Sequence, residues 1–296
     1  MILLSLFLQI ILITFGSRRK FTARSWHRIV VWSAYLTADW VAAVALGNLA
    51  SNTQADSDLQ IFLAPFLLLH LGGPDTITAY SLEENELWRK HLLGLVVQVG
   101  VAFYVFLRSW GNSVLTFIAI PIFITGIIKY GERTFVLRSS SAQRFKNSLL
   151  SNPDAGPDFN DQKQTTEARR ELSSSCGLQE VRFQYLCADL ILGTRERKDS
   201  CSKIEKKSSK DAFKLIAIEL GFLYDLLYTK ATIVYSQLGI LFRVISFIAS
   251  VTALVLFSVI IDIHAYSSID VSITYILLIG AVVLEVYAFC VLLFSD

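Results

Sequence analysis

Three ionisable residues, Asp39, Arg243 and Glu285, lie inside long apolar runs. Charge is costly inside a membrane, so such residues are candidates for function. At about 1.5 Å of rise per helical residue, they lie roughly 15, 9 and 13 Å from the inner membrane face, respectively. All three therefore fall in the same half of a bilayer and could meet. One interpretation is an ion pair that stabilises a helix bundle. The other is binding of a proton or cation by the carboxylate that the single arginine leaves unmatched.

A second group of polar residues occupies positions 70–91. Asp75, Thr76 and Thr78 could form a polar lip over a cavity at the inner face. His70 and His91 could join this lip from the ends of the two flanking helices. Taken singly, each histidine is typical of a polar residue at an interface rather than of a ligand.

The same segment also has the features of a plain helix–turn–helix. Gly72 and Gly73 can end a short helix because glycine accepts the left-handed conformation, and Pro74 prevents the helix from continuing. Ser81 and Glu84 have capping-box spacing, which predicts the start of the next helix. A tight turn at the inner face is therefore the competing interpretation of the polar lip.

Motifs of known membrane enzymes are missing from the sequence. It has four histidines and four cysteines, without a CxxC pair, an HExxH or GxSxG pattern, or the Gly-Lys-Ser/Thr of a phosphate-binding loop. We therefore expect no catalytic residues, no cofactor and no metal site, and we interpret the cysteines as free thiols.

Composition indicates which elements position these residues. Of 296 residues, 53% are hydrophobic and only 18% are charged, with a mean hydropathy of +0.51. Soluble domains are about a quarter charged. The pattern predicts an all-α polytopic transmembrane bundle with six to seven spans and excludes a soluble enzyme, a secreted disulfide scaffold and a disordered chain. The predicted spans are residues 1–16, 29–50, 59–71, 92–109, 113–130, 237–262 and 272–294.

The uneven distribution of basic residues predicts the orientation. Residues 17–28 contain five Lys/Arg and residues 131–236 contain 17, whereas 51–58 and 262–272 contain none. We expect the N-terminus outside and the long polar loop in the cytosol, in the plasma membrane or the endoplasmic reticulum. We favour a crossing by the short run 59–71, because otherwise the basic loop would lie outside.

The chain accordingly divides into three parts: N-terminal transmembrane helices (1–130), a cytosolic loop (131–236) and a C-terminal transmembrane pair (237–296). Within the loop, a basic run is either a solvated linker, a phosphorylation target or a patch held against anionic lipids. The predicted parts of the loop are a short amphipathic helix (138–150), a connector (151–166), a charged helix (167–192), the basic run (195–210) and a helix at the membrane surface (211–235).

Several stretches together resemble the plant membrane proteins of domain of unknown function 4220. They are residues 64–80 (APFLLLHLGGPDTITAY), 86–91 (ELWRKH), 129–134 (KYGERT), 219–231 (ELGFLYDLLYTKA) and 270–275 (DVSITY).

The resemblance covers nearly the whole chain and implies a plant multi-pass membrane protein without an established reaction. Family members usually start upstream of the first apolar run and continue into a second uncharacterised domain, so we expect this chain to be the membrane half of a longer architecture.

From these observations we expect a non-enzymatic scaffold or signalling component; the alternative is an ion channel or transporter that uses the intramembrane charges. The expected partner is the lipid bilayer, not nucleic acid. A homo-oligomer and a cytosolic protein bound through 131–236 both stay open.

Overall fold

The computed structural model describes residues 1–22, 24–51, 62–108, 115–141, 209–260 and 266–294. Within these ranges the chain is helical and contains no strand. The predictions for 142–208 therefore lie outside the described residues. The helices are α1 (Ile2–Gly16, continued by a 3-10 turn Ser17–Lys20), α2 (Ser25–Ser51), α3 (Ala64–Leu71), α4 (Leu82–Glu86), α5 (Trp88–Arg108), α6 (Leu115–Ser139), α7 (Ser209–Tyr228), α8 (Ala231–Val234), α9 (Gln237–Ile260) and α10 (Ser268–Phe294).

Six of the described helices are long and apolar enough to cross a membrane: α1 with its 3-10 turn, α2, α5, α6, α9 and α10. This confirms the predicted all-α polytopic bundle. The surface helix expected over 211–235 is divided in two, because residues 229 and 230 separate α7 from α8.

Helix α3 occupies the second half of the predicted span 59–71. Its eight residues extend about 12 Å, less than half of a hydrocarbon core. Phe66 shares a core cluster with Ile122, and Gly72, just after α3, lies beside Lys129. Helix α3 thus runs along α6 in the same direction and ends inside the bundle.

The segments predicted to share one face of the membrane do lie at one end of the bundle. Arg19 Nη2 donates to the Tyr80 carbonyl at 2.8 Å, and Ser140 Oγ donates to the Leu226 carbonyl at 2.8 Å. We call this end the basic end. It comprises residues 17–28, 72–91, 138–141 and 209–236.

Helix α6 lies at the centre, packed against α3, α5 and α9. It continues nine residues beyond the predicted limit at 130, to Ser139. Lys129, Glu132 and Arg133 would end a lipid-facing span, but all three are buried inside the bundle. The predicted limit was therefore too early because these charges face protein rather than lipid.

The two glycines that follow α3 have different structural roles. Gly73 has a φ of +65° and supplies the predicted left-handed residue. Gly72 is still right-handed and permits close approach to α6 instead. A Cβ atom at Gly72 would lie 2.6 Å from Lys129 Cβ and 2.9 Å from Tyr130 N.

We expect Gly72→Ala to lower the free energy of unfolding by about 1–3 kcal/mol, because the packed α6 backbone cannot yield. Gly131→Ala is the matched control. No atom would lie within 4 Å of its new Cβ, and alanine in a helix is favoured over glycine by up to about 1 kcal/mol. Thermal unfolding of both variants in detergent measures the difference. Equal melting temperatures would show that the α3–α6 contact is not tight.

Candidate functional site

The last carbonyls of α3 lie in the bundle interior, where no further helical turn follows. That of His70 accepts from the Gly73 N–H at 3.0 Å. In a membrane such groups need protein donors. Gln9 Nε2, from α1, donates to the His70 carbonyl at 2.8 Å. Arg133 Nη1, from α6, donates to the Leu71 carbonyl at 2.9 Å. Polar side chains from two spans thus cap a helix that ends away from water.

Arg133 also binds Asp39 of α2 through both of its terminal nitrogens. The two hydrogen bonds measure 2.7 Å (Nη1–Oδ1) and 2.9 Å (Nη2–Oδ2), the strong two-pronged geometry that arginine forms with carboxylates. Arg133 Nη2 further donates to the Tyr35 hydroxyl at 3.2 Å. This one guanidinium therefore connects α2, α3 and α6.

Asp75 lies in the turn after α3 and accepts a 2.6 Å hydrogen bond from Arg243 Nη2 of α9. Burial alone would raise the pKa of Asp75. The positive charges of Lys129, Lys230 and Arg243 outweigh burial and lower its pKa to about 2. Asp75 is therefore ionised at any physiological pH.

Lys230, between α7 and α8, is fully buried. Its Nζ lies 3.6 Å from Glu132 Oε2 and 3.9 Å from Asp75 Oδ1, and it donates to the Gly73 and Lys129 carbonyls at 3.3 and 3.4 Å. Burial lowers the pKa of Lys230, while Glu132 and Asp75 act in the opposite direction. The cation is thus enclosed by two carboxylates and two carbonyls.

The remaining pair joins α6 to α10. Lys129 Nζ lies 3.1 Å from Glu285 Oε1, and both side chains are at most a tenth exposed. The second oxygen, Glu285 Oε2, has no hydrogen-bond partner among the described residues.

Together these residues form what we call the charge network, in which four acids face four bases and each takes part in an ion pair. Its formal charge is therefore zero. Its members are Asp39, Asp75, Glu132, Glu285, Lys129, Arg133, Lys230 and Arg243.

The structure differs from the arrangement expected for Asp39, Arg243 and Glu285. These residues do not pair with one another; each binds a residue outside the trio, namely Arg133, Asp75 and Lys129, respectively. The expected surplus of acid over base is absent from the network, because Lys129, Arg133 and Lys230 add three cations while Asp75 and Glu132 add two acids.

The predicted lip residues Asp75, Thr76 and Thr78 make separate contacts. Asp75 belongs to the charge network. Thr76 Oγ1 donates to the Leu12 carbonyl at 2.9 Å. The Thr78 N–H donates to the Tyr228 carbonyl at 2.8 Å. These contacts attach the turn after α3 to α1 and α7 rather than present an open polar surface.

The two histidines lie in different surroundings. His70 is buried, and its Nδ1 lies 3.0 Å from Ser5 Oγ of α1. His91 is partly buried in the first turn of α5. Whether any lip residue acts in function stays a prediction.

One small cleft touches the network. Its volume is about 10 Å³, close to the minimum that holds one water molecule. Asp39 and Arg133 contribute to it, but from the turn after α3 the contributing residues are Gly73, Pro74 and Ile77 rather than the predicted threonines.

Sequence reasoning missed Lys129, Glu132, Arg133 and Lys230 as site residues. A signal was present for the first three, because positions 129, 132 and 133 recur at the three- and four-residue spacing of one helix face. Lys230 carried no such signal, since a continuous surface helix would place it at the membrane surface.

The structure defines the class of protein. It is a polytopic helical bundle in which the short helix α3 ends in the interior and is capped by buried polar side chains. Residues 32–296 match the family model of a domain of unknown function, DUF4220. The chain belongs to this family, as the resemblance implied. No curated protein and no solved structure matches the chain.

Proposed function

We propose that this protein is a non-enzymatic membrane scaffold or signalling component that presents the polar region 131–236 on the cytosolic side of a plant plasma membrane or endoplasmic reticulum. The observation that carries the proposal is the charge network. Its eight ionisable groups form ion pairs with one another. Two of its cations, Arg133 and Lys230, also donate to carbonyls at the end of α3 and just after it. Groups engaged in this way are already paired inside the protein, which favours a role in helix packing over binding of a substrate.

The attachment of α7 supports the same proposal. Lys20 Nζ binds Asp225 Oδ2 at 2.7 Å, and Asn85 Nδ2 donates to the Leu227 carbonyl at 3.0 Å. Phe213, on the first half of α7, is 74% exposed. The helix that follows the polar loop is thus fixed to the bundle at one end and leaves apolar surface for a bilayer or a protein.

An ion channel or transporter is the second candidate. Helix α3 ends inside the bundle, and interrupted helices in transporters often bind substrate at their ends. The Asp39 side chain is also 37% exposed. Against this candidate, Arg133 already occupies both the Leu71 carbonyl and the Asp39 carboxylate.

Ion flux in proteoliposomes distinguishes the two candidates. We expect the intact protein to conduct neither protons nor potassium ions above the level of empty liposomes. We expect Asp39→Asn and Glu285→Gln to give the same background. Flux from the intact protein that either substitution abolishes would contradict the scaffold proposal and favour transport.

A further inference from the structure

Four exposed residues at the start of α2 recur at intervals of four: Arg24, which directly precedes the helix, and Arg28, Trp32 and Leu36 within it. The Arg28 N–H donates to the Arg24 carbonyl at 3.3 Å, so the helical repeat already holds at this point. Side chains four residues apart lie one above the other on a helix. We call this row the α2 ridge.

The two arginines of the ridge have no counter-charge within the described part of the chain. Like charges four residues apart destabilise a helix, and the first turn of α2 contains no acidic residue. Among the neighbouring cations, Lys20 binds Asp225 and Arg19 lies over the Tyr80 ring, whereas Arg18 is exposed like the two ridge arginines. An anion from outside the chain would relieve the repulsion between Arg24 and Arg28.

Along the ridge, the residue types change in the same order as the parts of a phospholipid, from the charged headgroup to the acyl chain. Each step of four residues descends about 6 Å, from guanidinium groups to an indole and then to an aliphatic side chain. Tryptophan favours the membrane–water interface, and Trp32 and Leu36 are each about half exposed. A lipid bound along the ridge would match this order, with its headgroup at the arginines and an acyl chain beside the aliphatic side chain.

The start of α2 is held rigidly. The buried His27 ring packs edge-on between the rings of Phe15 and Trp26, with centroid distances of 5.6 and 5.8 Å. These contacts fix the first turn of α2 against α1, so a ligand would order little besides the two arginine side chains themselves. Such preorganisation lowers the entropic cost of binding.

We propose that the α2 ridge binds one anionic phospholipid, with its phosphate between Arg24 and Arg28 and an acyl chain along Trp32 and Leu36. This site is separate from the charge network and goes beyond the scaffold function. Free phosphate has the same anionic chemistry but cannot use the apolar half of the ridge.

The test compares retention of phosphatidylglycerol by native mass spectrometry, with the protein in phosphatidylcholine nanodiscs of increasing phosphatidylglycerol content. R24Q/R28Q removes two charge-assisted contacts with one phosphate, which should weaken binding of the lipid by at least about thirtyfold. The control, R89Q/K90Q, makes the same charge change at the start of α5 on the same end of the bundle. We expect the control to retain wild-type binding.

Equal loss in both double variants would overturn the proposal, because it would show general charge attraction rather than a site. Displacement of the lipid by millimolar inorganic phosphate would overturn it in favour of a free-anion site. Brominated phosphatidylglycerol adds an independent readout. We expect it to quench the wild type more than Trp32→Phe, and equal quenching would contradict the acyl-chain position.

Discussion

Replacing Lys230 with methionine lowers the free energy of unfolding by about 3–5 kcal/mol, the usual cost of leaving a buried charge without its partner. The variant keeps most of the side-chain volume but removes the cation between Glu132 and Asp75. It also deprives the Gly73 carbonyl of a donor. Thermal unfolding in detergent should show a fall in the melting temperature of about 10 °C.

Lys214→Met is the matched control, because Lys214 is exposed on α7 and surface substitutions change stability by only about 0.5 kcal/mol. Adding Glu132→Gln to Lys230→Met should recover part of the loss by restoring charge balance. If Lys230→Met melted at the temperature of Lys214→Met, the enclosed position of Lys230 would be contradicted.

Replacing Lys129 with methionine has a similar expected cost, about 3–5 kcal/mol. The change leaves the buried Glu285 carboxylate without its cation. Its second oxygen, Oε2, already lacks a hydrogen-bond partner within the described chain. The measurement is again unfolding in detergent. Lys210→Met, at an exposed position of α7, is the comparison, and equal stability of the two variants would show that Glu285 does not depend on Lys129.

Much of the fold could be predicted from the sequence, because the distribution of apolar and charged residues depends only on local composition. The expectation of six to seven spans and of a common end for the basic segments follows from it. The eight-residue length of α3 could not be predicted in this way. Residues 59–71 are apolar apart from Gln60 and His70, and the donors that allow the helix to end inside the bundle, Gln9 and Arg133, lie far away in the chain.

The candidate site was predicted only in part, because local composition reveals an interior charge but not its partner. Asp39, Arg243 and Glu285 could be selected because each interrupts an apolar run. Their partners could not, because pairing across a bundle depends on how the helices pack. Arg133 lies beyond the expected end of a span and Lys230 within an expected surface helix, so neither was recognised as an interior charge.

Three of the stretches that carry the family resemblance meet at the charge network. Asp75 comes from residues 64–80, Lys129 and Arg133 from 129–134, and Lys230 from 219–231. These segments are far apart in the chain and come together where α3 ends. The combination of motifs thus includes residues that pack the end of α3 into the bundle.

The most direct test of a structural role for the network is the double variant Lys129→Met/Glu285→Leu. It leaves three acids and three bases, and replacing a whole buried ion pair by apolar residues is often neutral or stabilising. We therefore predict that its free energy of unfolding returns to within about 1 kcal/mol of the wild type, well above that of Lys129→Met alone. A double variant that is as unstable as the two single variants combined would contradict the account.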